Sequence, residues 1–118
     1  VMLANVFFEH NIIELSTKNR DGFHIFLAEI VATFGLIFII FATLKDSKTT
    51  IAACVATYIT AGYWFTSSTS FANPAVAIAR TFTESFTGIN YLNTPTYIIA
   101  ELIGALIAVF LIKKLLLK

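Results

Sequence analysis

The apolar stretch 23–44 most restricts how this chain can fold, since His24 and Glu29 are its only ionisable residues. A helix needs about 20 apolar residues to cross the hydrocarbon core of a bilayer. Residues 50–66 and 96–117 form two further apolar stretches. Composition agrees, because 58% of the residues are hydrophobic and 13% are charged, against about 45–50% and about 25% in soluble domains. The sequence predicts an all-α, multi-pass membrane protein with three transmembrane helices.

The segments between these stretches predict the connections. Residues 9–22 are rich in charge and predict an exposed loop, residues 45–49 predict a short polar turn, and residues 86–95 predict a second loop. Residues 1–8 are apolar, begin without Met and lack the charged start of a signal peptide. We interpret them as the end of a preceding span, and therefore expect the chain to be a fragment of a longer protein.

Basic residues near the ends of the spans predict the orientation, because cytoplasmic loops carry an excess of Lys and Arg. The basic residues on one side are Lys45, Lys48, Lys113, Lys114 and Lys118, and those on the other are Lys18 and Arg20. This bias predicts a cytoplasmic C-terminus and a cytoplasmic 45–49 turn. The 9–22 and 86–95 loops then face outward.

Asn73, Pro74 and Ala75 predict a helix start within this apolar chain. Asn is a favoured N-cap, and Pro is tolerated at the first helical position because its missing N–H costs nothing there. The small, polar residues 67–72 predict irregular backbone before it, and residues 74–85 predict a helix of about three turns, too short to cross. A helix start at membrane depth is tolerated only where it is buried in protein or lines a water-filled path. The motif therefore indicates a pore.

The chemistry of this segment suits the passage of water. The Asn73 amide and the partial positive charge of the helix start would orient a water oxygen and oppose cations and hydrated protons. The carbonyls of Ser70, Phe71 and Ala72 would supply acceptors along the pore wall. The alternative is that residues 67–95 form a plain outer loop, which their high apolar content argues against.

Other functional classes find little support in the sequence. Cys54 is the only cysteine, which excludes an intrachain disulfide, and His10 and His24 show no metal-ligand spacing. A net charge of +1 does not indicate a nucleic-acid partner. Since no nucleophile–base pair or metal set stands out, we expect neither an enzyme nor a cofactor.

Three motifs resemble the aquaporins, or major intrinsic proteins. Residues 28–34 resemble the Ala-Glu-x-x-Gly-Thr-Phe signature of the fourth helix, residues 69–75 the second Asn-Pro-Ala loop, and residues 100–105 the Ala-Gln-x-x-Gly-Ala pattern of the sixth helix. The resemblance implies the C-terminal half of a six-span channel built from two inverted repeats, with 74–85 as a re-entrant half-helix. It also implies a missing N-terminal half as partner and a homotetramer of the complete protein.

The resemblance implies a passive channel for water and small uncharged solutes that excludes ions and protons. The position after the motif, usually Arg, is Val76 here, whereas Arg80 lies one turn further on the same helix face. Arg80 and Val76, with Ala61 and Gly62 on the preceding span, are therefore the candidates for the selectivity filter. The alternative for Arg80 is that it reaches the outer lipid headgroups.

The absence of His from the region around Ala61 and Gly62 favours a wider filter, and hence glycerol as well as water. The Asn-Pro-Ala-Val motif resembles a bacterial subgroup associated with arsenical resistance, which implies arsenous acid as a further solute and a bacterial inner (plasma) membrane location.

Glu29 and Glu101 are carboxylates within predicted spans. We expect both to accept hydrogen bonds from the irregular backbone before the half-helix. The resemblance implies that Glu29 supports the Asn-Pro-Ala loop, whereas Glu101 stands where the family usually has Gln. A secondary transporter with a broken-helix binding site is the alternative function, and a non-transporting scaffold is a third. Because one repeat forms one wall of the pore, we expect the chain alone not to conduct.

Overall fold

A computed structural model describes residues 1–115 of the chain, and within them every regular element is helical. The helices are α1 (Met2–Phe7), α2 (Phe23–Ala42), α3 (Lys48–Phe65), α4 (Pro74–Ala79) and α5 (Thr94–Leu115), with a 3₁₀ turn (Arg80–Phe82) directly after α4. Lys118, which contributed to the predicted orientation, lies outside the described residues, as does the predicted end of the last span at residue 117.

Two of these helices are long and apolar enough to cross a bilayer. They are α2, with a mean hydropathy of 2.6, and α5, with a mean hydropathy of 2.2. The helix α3 has 18 residues, but its Lys, Thr and Tyr residues keep it below the apolarity of the other two. Within residues 1–115, two helices rather than the predicted three therefore have both the length and the apolarity of a span.

The helices α2 and α5 pack closely because small residues lie at their contact. Ala32, Ala100 and Gly104 are fully buried or nearly so. A Cβ atom at Gly104 would overlap the backbone carbonyl of Ile30 and press against the side chain of Thr33. Small residues let helix backbones approach each other in membranes, and this contact sets the spacing on which the functional segment depends.

The helix α3 is joined to α2 by one aromatic side chain. The Tyr58 hydroxyl donates a hydrogen bond of 2.9 Å to the Ala32 carbonyl. Gly35 makes room for it, since a Cβ atom there would overlap the Tyr58 ring. At its start α3 is capped by Ser47, whose hydroxyl accepts a hydrogen bond from the Thr50 N–H.

The short helix α4 ends earlier than the predicted range 74–85. Its α-helical part stops at Ala79, the 3₁₀ turn stops at Phe82, and Thr83 has extended backbone angles. The reason lies in α1, because the Asn5 side chain holds the chain at this point. Its amide donates to the Phe82 carbonyl at 3.0 Å and its oxygen accepts from the Thr83 hydroxyl at 2.6 Å.

The loop 9–22 is not uniformly exposed as the sequence predicted. Arg20 is 7% exposed. Its guanidinium donates hydrogen bonds of 2.7 Å to the carbonyls of Gly88 and Phe86. A cation can be buried when its donors are satisfied in this way, so the prediction of exposure was wrong for Arg20. The 9–22 and 86–95 loops form one packed layer rather than separate connections.

An exposed contact closes the edge of this layer. The Glu84 carboxylate accepts hydrogen bonds from the backbone N–H and the hydroxyl of Thr17. These two bonds, with a smaller contribution from the Lys18 charge, lower the pKa of Glu84 below its ordinary value. The contact is therefore retained at neutral pH and is weakened as the pH falls through that lowered pKa.

Candidate functional site

The motif segment, residues 67–75, connects α3 to α4 through an unusual backbone. Thr69, Ser70 and Ala72 have φ angles of 64°, 51° and 51°. Residues other than glycine cost about 1–3 kcal/mol each in this left-handed region and persist there only when their surroundings hold them. The segment is thus a strained structure fixed by its neighbours, which the predicted irregular backbone did not reveal.

Two buried carboxylates hold the motif segment. Glu29 of α2 accepts hydrogen bonds of 2.9 Å from the N–H groups of both Phe71 and Ala72. Glu101 of α5 accepts one of 3.0 Å from the N–H of Asn73. Three consecutive backbone donors, which the irregular chain cannot pair by itself, are thereby satisfied from the two sides. Hydrogen bonds to a charged acceptor such as the Glu29 carboxylate are about twice as strong as neutral ones.

Asn73 caps α4 through its side-chain oxygen. This oxygen accepts a hydrogen bond of 2.9 Å from the Ala75 N–H, and Pro74 occupies the first helical position. The Asn73 side chain is exposed, and its amide nitrogen makes no hydrogen bond within the described residues. The cap therefore leaves an N–H₂ donor without a protein partner on an exposed residue.

Ser70, Phe71 and Ala72 are all buried. Their carbonyl oxygens accept no hydrogen bond from the part of the chain that the structure describes. The three predicted acceptors are therefore next to Asn73 in the chain and have no protein donor among these residues.

Arg80 lies beside the motif segment rather than away from it. Its guanidinium carbon is 4.3 Å from the centre of the Phe71 ring, and that of Arg20 is 5.4 Å from the same ring. The Tyr97 ring, 4.8 Å from Phe71, completes this cluster. Such cation–π contacts are worth about 0.5–2 kcal/mol each, and here they fix both the ring and the guanidinium.

A cavity of about 560 Å³ opens next to Arg80. Its polar lining includes Asn5, His10 and Tyr63, none of which the sequence marked as candidates for the site. No local signal identified them, because the cavity forms only where α1, α3 and the segment after α4 meet. Of the four filter candidates named from the sequence, Arg80 lines this cavity, whereas Val76, Ala61 and Gly62 do not.

Gly62 lies where α3 approaches the motif segment. It is buried, and a Cβ atom there would overlap the Ser70 side chain. Val76 packs beside the buried hydrophobic core, and Ala61 is exposed. Gly62 therefore allows α3 to approach the motif segment instead of lining the cavity.

Comparisons with known proteins bear on this arrangement. No family model and no solved structure matches the chain. Among curated proteins, it is similar to aquaglyceroporin AqpS of Rhizobium meliloti (strain 1021), with 46% identity over 114 residues. The alignment covers 97% of this chain and 49% of the relative, so the chain spans about half the length of the curated relative it matches. The resemblance noted from the three motifs is thus confirmed, and the chain belongs to the aquaporin, or major intrinsic protein, family.

Proposed function

We propose that the chain is the C-terminal half of a passive channel for water and small uncharged solutes. The observation that carries this proposal is the motif segment, where two buried carboxylates satisfy three backbone donors and leave the Asn73 N–H₂ exposed. The name of the relative, an aquaglyceroporin, supports a path for water or glycerol. A channel, rather than an enzyme, is the class of protein that accounts for both the motif segment and the name of this relative.

The Asn73 amide would donate a hydrogen bond to the oxygen of a passing water or hydroxyl group. The carbonyls of Ser70, Phe71 and Ala72 would accept from the next molecule. Donors fixed in this way orient each molecule, and together with the partial positive charge of a helix start they oppose cations and protons.

The cavity beside Arg80 would form the outer entrance, with Arg80 and Tyr63 as its polar contacts. Glycerol fits the absence of His from the α3 segment next to the motif. Arsenous acid rests on the resemblance of the run from Asn73 to Val76 to the arsenical-resistance subgroup.

In the complete protein we propose that α2, α3 and α5 cross a bacterial inner membrane. The helix α4 would enter from the outer side and return there, with the C-terminus in the cytoplasm. The apolarity of α2 and α5 supports a membrane setting. A second, inverted repeat would form the opposite wall of the pore, and four copies of the complete protein would assemble.

Stopped-flow measurements on vesicles containing the complete channel test this function. Shrinkage in an osmotic gradient reports water flux, and re-swelling reports the entry of glycerol or arsenous acid. Rapid water or solute flux with a low activation energy is expected. Flux equal to that of empty vesicles for all three solutes would contradict the proposal.

We expect vesicles that contain only these 118 residues to show no flux above that of empty vesicles. One repeat supplies one wall, and the orientation bias of its Lys residues opposes assembly with an inverted second copy. Stopped-flow light scattering checks this, with circular dichroism to establish that the chain is helical in the bilayer. Rapid flux with a low activation energy from this chain alone would overturn the expectation.

Changing Arg80 to Ala in the complete channel is expected to raise cation or proton flux at least about tenfold, equivalent to about 1.4 kcal/mol of barrier. The change removes the guanidinium from the cavity while water flux continues. A pH-sensitive dye inside the vesicles measures the leak. Lys45→Ala, which removes an exposed charge from the turn after α2, is the matched control. Equal leaks in the two variants would identify Arg80 as a headgroup anchor.

A further inference from the structure

The two carboxyl groups that hold the motif segment also meet each other. Glu29 is fully buried and Glu101 is 1% exposed. The two carboxyl groups lie close together, because Glu29 accepts from the Ala72 N–H and Glu101 accepts from the N–H of the next residue, Asn73. Two ionised carboxylates are acceptors only and repel at this range, so a hydrogen bond between them requires a shared proton.

The hydrogen-bond partners decide which group carries that proton. Both oxygens of Glu29 already accept a backbone N–H, from Phe71 and from Ala72. Glu101 accepts through Oε1 alone, and its buried Oε2 has no partner among the described residues. Since hydrogen bonds to the charged form favour ionisation, Glu29 is the better place for the negative charge.

We propose that Glu101 is a neutral carboxylic acid that donates a hydrogen bond from Oε2 to the Glu29 carboxylate. The proton fixes Glu29 against the motif segment while Oε1 holds Asn73. This explains how Glu can stand where the family pattern has Gln, because a Gln side chain offers the same acceptor and the same donor. The proposal does not depend on solute passage.

No hydroxyl group among the described residues hydrogen-bonds to Oε2 of Glu101. The Tyr97 hydroxyl, on the same helix as Glu101, donates to the Ser68 carbonyl at 3.0 Å. The Tyr58 hydroxyl, on α3, donates to the Ala32 carbonyl. Both hydroxyls donate to backbone carbonyls, so neither donates to Glu29 or Glu101.

The two nearby cations, Arg20 and Arg80, contact groups other than the pair. Arg20 donates to the carbonyls of two loop residues, and Arg80 lies over the Phe71 ring. Neither forms an ion pair with Glu29 or Glu101 in the part of the chain that the structure describes. A second negative charge at the pair would therefore be buried without a directly bonded countercharge, which is unfavourable.

Infrared spectroscopy of the chain in lipid vesicles tests the proposal directly. At neutral pH the wild-type chain is expected to show the carbonyl stretch of a protonated carboxylic acid, shifted on exchange into D₂O. The Glu101→Gln variant is expected to lose this band and to keep its helical circular dichroism. Glu84→Gln, which changes an exposed carboxylate, is the control and should keep the band. A wild-type chain without the band, or a Glu101→Gln chain that retains it, would overturn the proposal.

A pH titration of the infrared band gives a second test of the proposal. In the wild-type chain the band is expected to disappear as the pH rises, when the shared proton is lost. In the complete channel solute flux should fall over the same range, because a second buried negative charge repels Glu29, whereas the flux of Glu101→Gln should stay constant. A Glu101→Gln chain that unfolds would contradict the proposal, since the amide should replace the neutral acid. Because the infrared band requires no conduction, its loss and the failure of the proposed function are distinguishable.

Discussion

Changing Glu29 to Ala is expected to destabilise the chain by about 3 kcal/mol or more, and to abolish solute flux in the complete channel. The substitution removes two hydrogen bonds to a charged acceptor, each worth about 1.5–3 kcal/mol. It also leaves the N–H groups of Phe71 and Ala72 buried without partners. The strained backbone at Ser70 and Ala72 then loses the contacts that hold it. Unfolding of the reconstituted chain, followed by circular dichroism, measures the loss of stability.

Two further variants make this result specific. Asp46→Ala removes an exposed carboxylate from the turn after α2 and is expected to change the free energy of unfolding by less than about 0.5 kcal/mol. Glu29→Gln keeps one oxygen as an acceptor but presents an N–H₂ group to the second backbone donor, so an intermediate loss is expected. If Glu29→Ala were as stable as Asp46→Ala, the motif segment would be held by something other than this carboxylate.

Changing Gly104 to Ala is expected to cost about 1–3 kcal/mol, the usual range for forcing extra volume into a packed interior. The added methyl group would overlap the Ile30 carbonyl, which belongs to the backbone and cannot rotate away. The helices α2 and α5 must then separate. Since Glu29 and Glu101 act from these two helices, flux in the complete channel should fall together with stability.

The control for this prediction is Leu106→Ala, a change on the same helix at a residue that is 70% exposed. It removes apolar atoms from the outward surface without touching the α2–α5 contact, and its effect on flux should be small. Unfolding of the reconstituted chain and stopped-flow swelling of the complete channel measure the two effects. A Gly104→Ala channel with unchanged flux and stability would show that the helix contact is looser than the structure indicates.

Local rules predicted part of the motif correctly. An Asn followed by Pro predicts a capped helix start, because both requirements lie within three residues of the backbone, and α4 begins at Pro74. The apolar stretch 23–44 likewise predicted α2, which ends at Ala42. By contrast, the end of α4 depends on Asn5, which lies far away in the sequence and gives no local signal.

Arg20 and Arg80 show the same limit in the candidate site. The sequence shows that both residues are charged but not which groups surround them. It therefore predicts an exposed loop around Arg20, and it places Arg80 among the filter candidates with Val76, Ala61 and Gly62. Burial of Arg20 depends on carbonyls of the 86–95 loop. The cavity beside Arg80 depends on three separate parts of the chain.

The sequence by itself determined that this chain is helical, that it contains segments apolar enough to span a membrane, and that it belongs to the aquaporin family. Those properties follow from hydropathy and from motifs that are each read within a few residues. Only the tertiary structure decided that α2 and α5 approach closely enough at Gly104 for Glu29 and Glu101 to meet on three consecutive N–H groups. The physical reason is that a hydrogen bond forms only when atoms of residues far apart in the chain are separated by the right distance to within about a few tenths of an ångström.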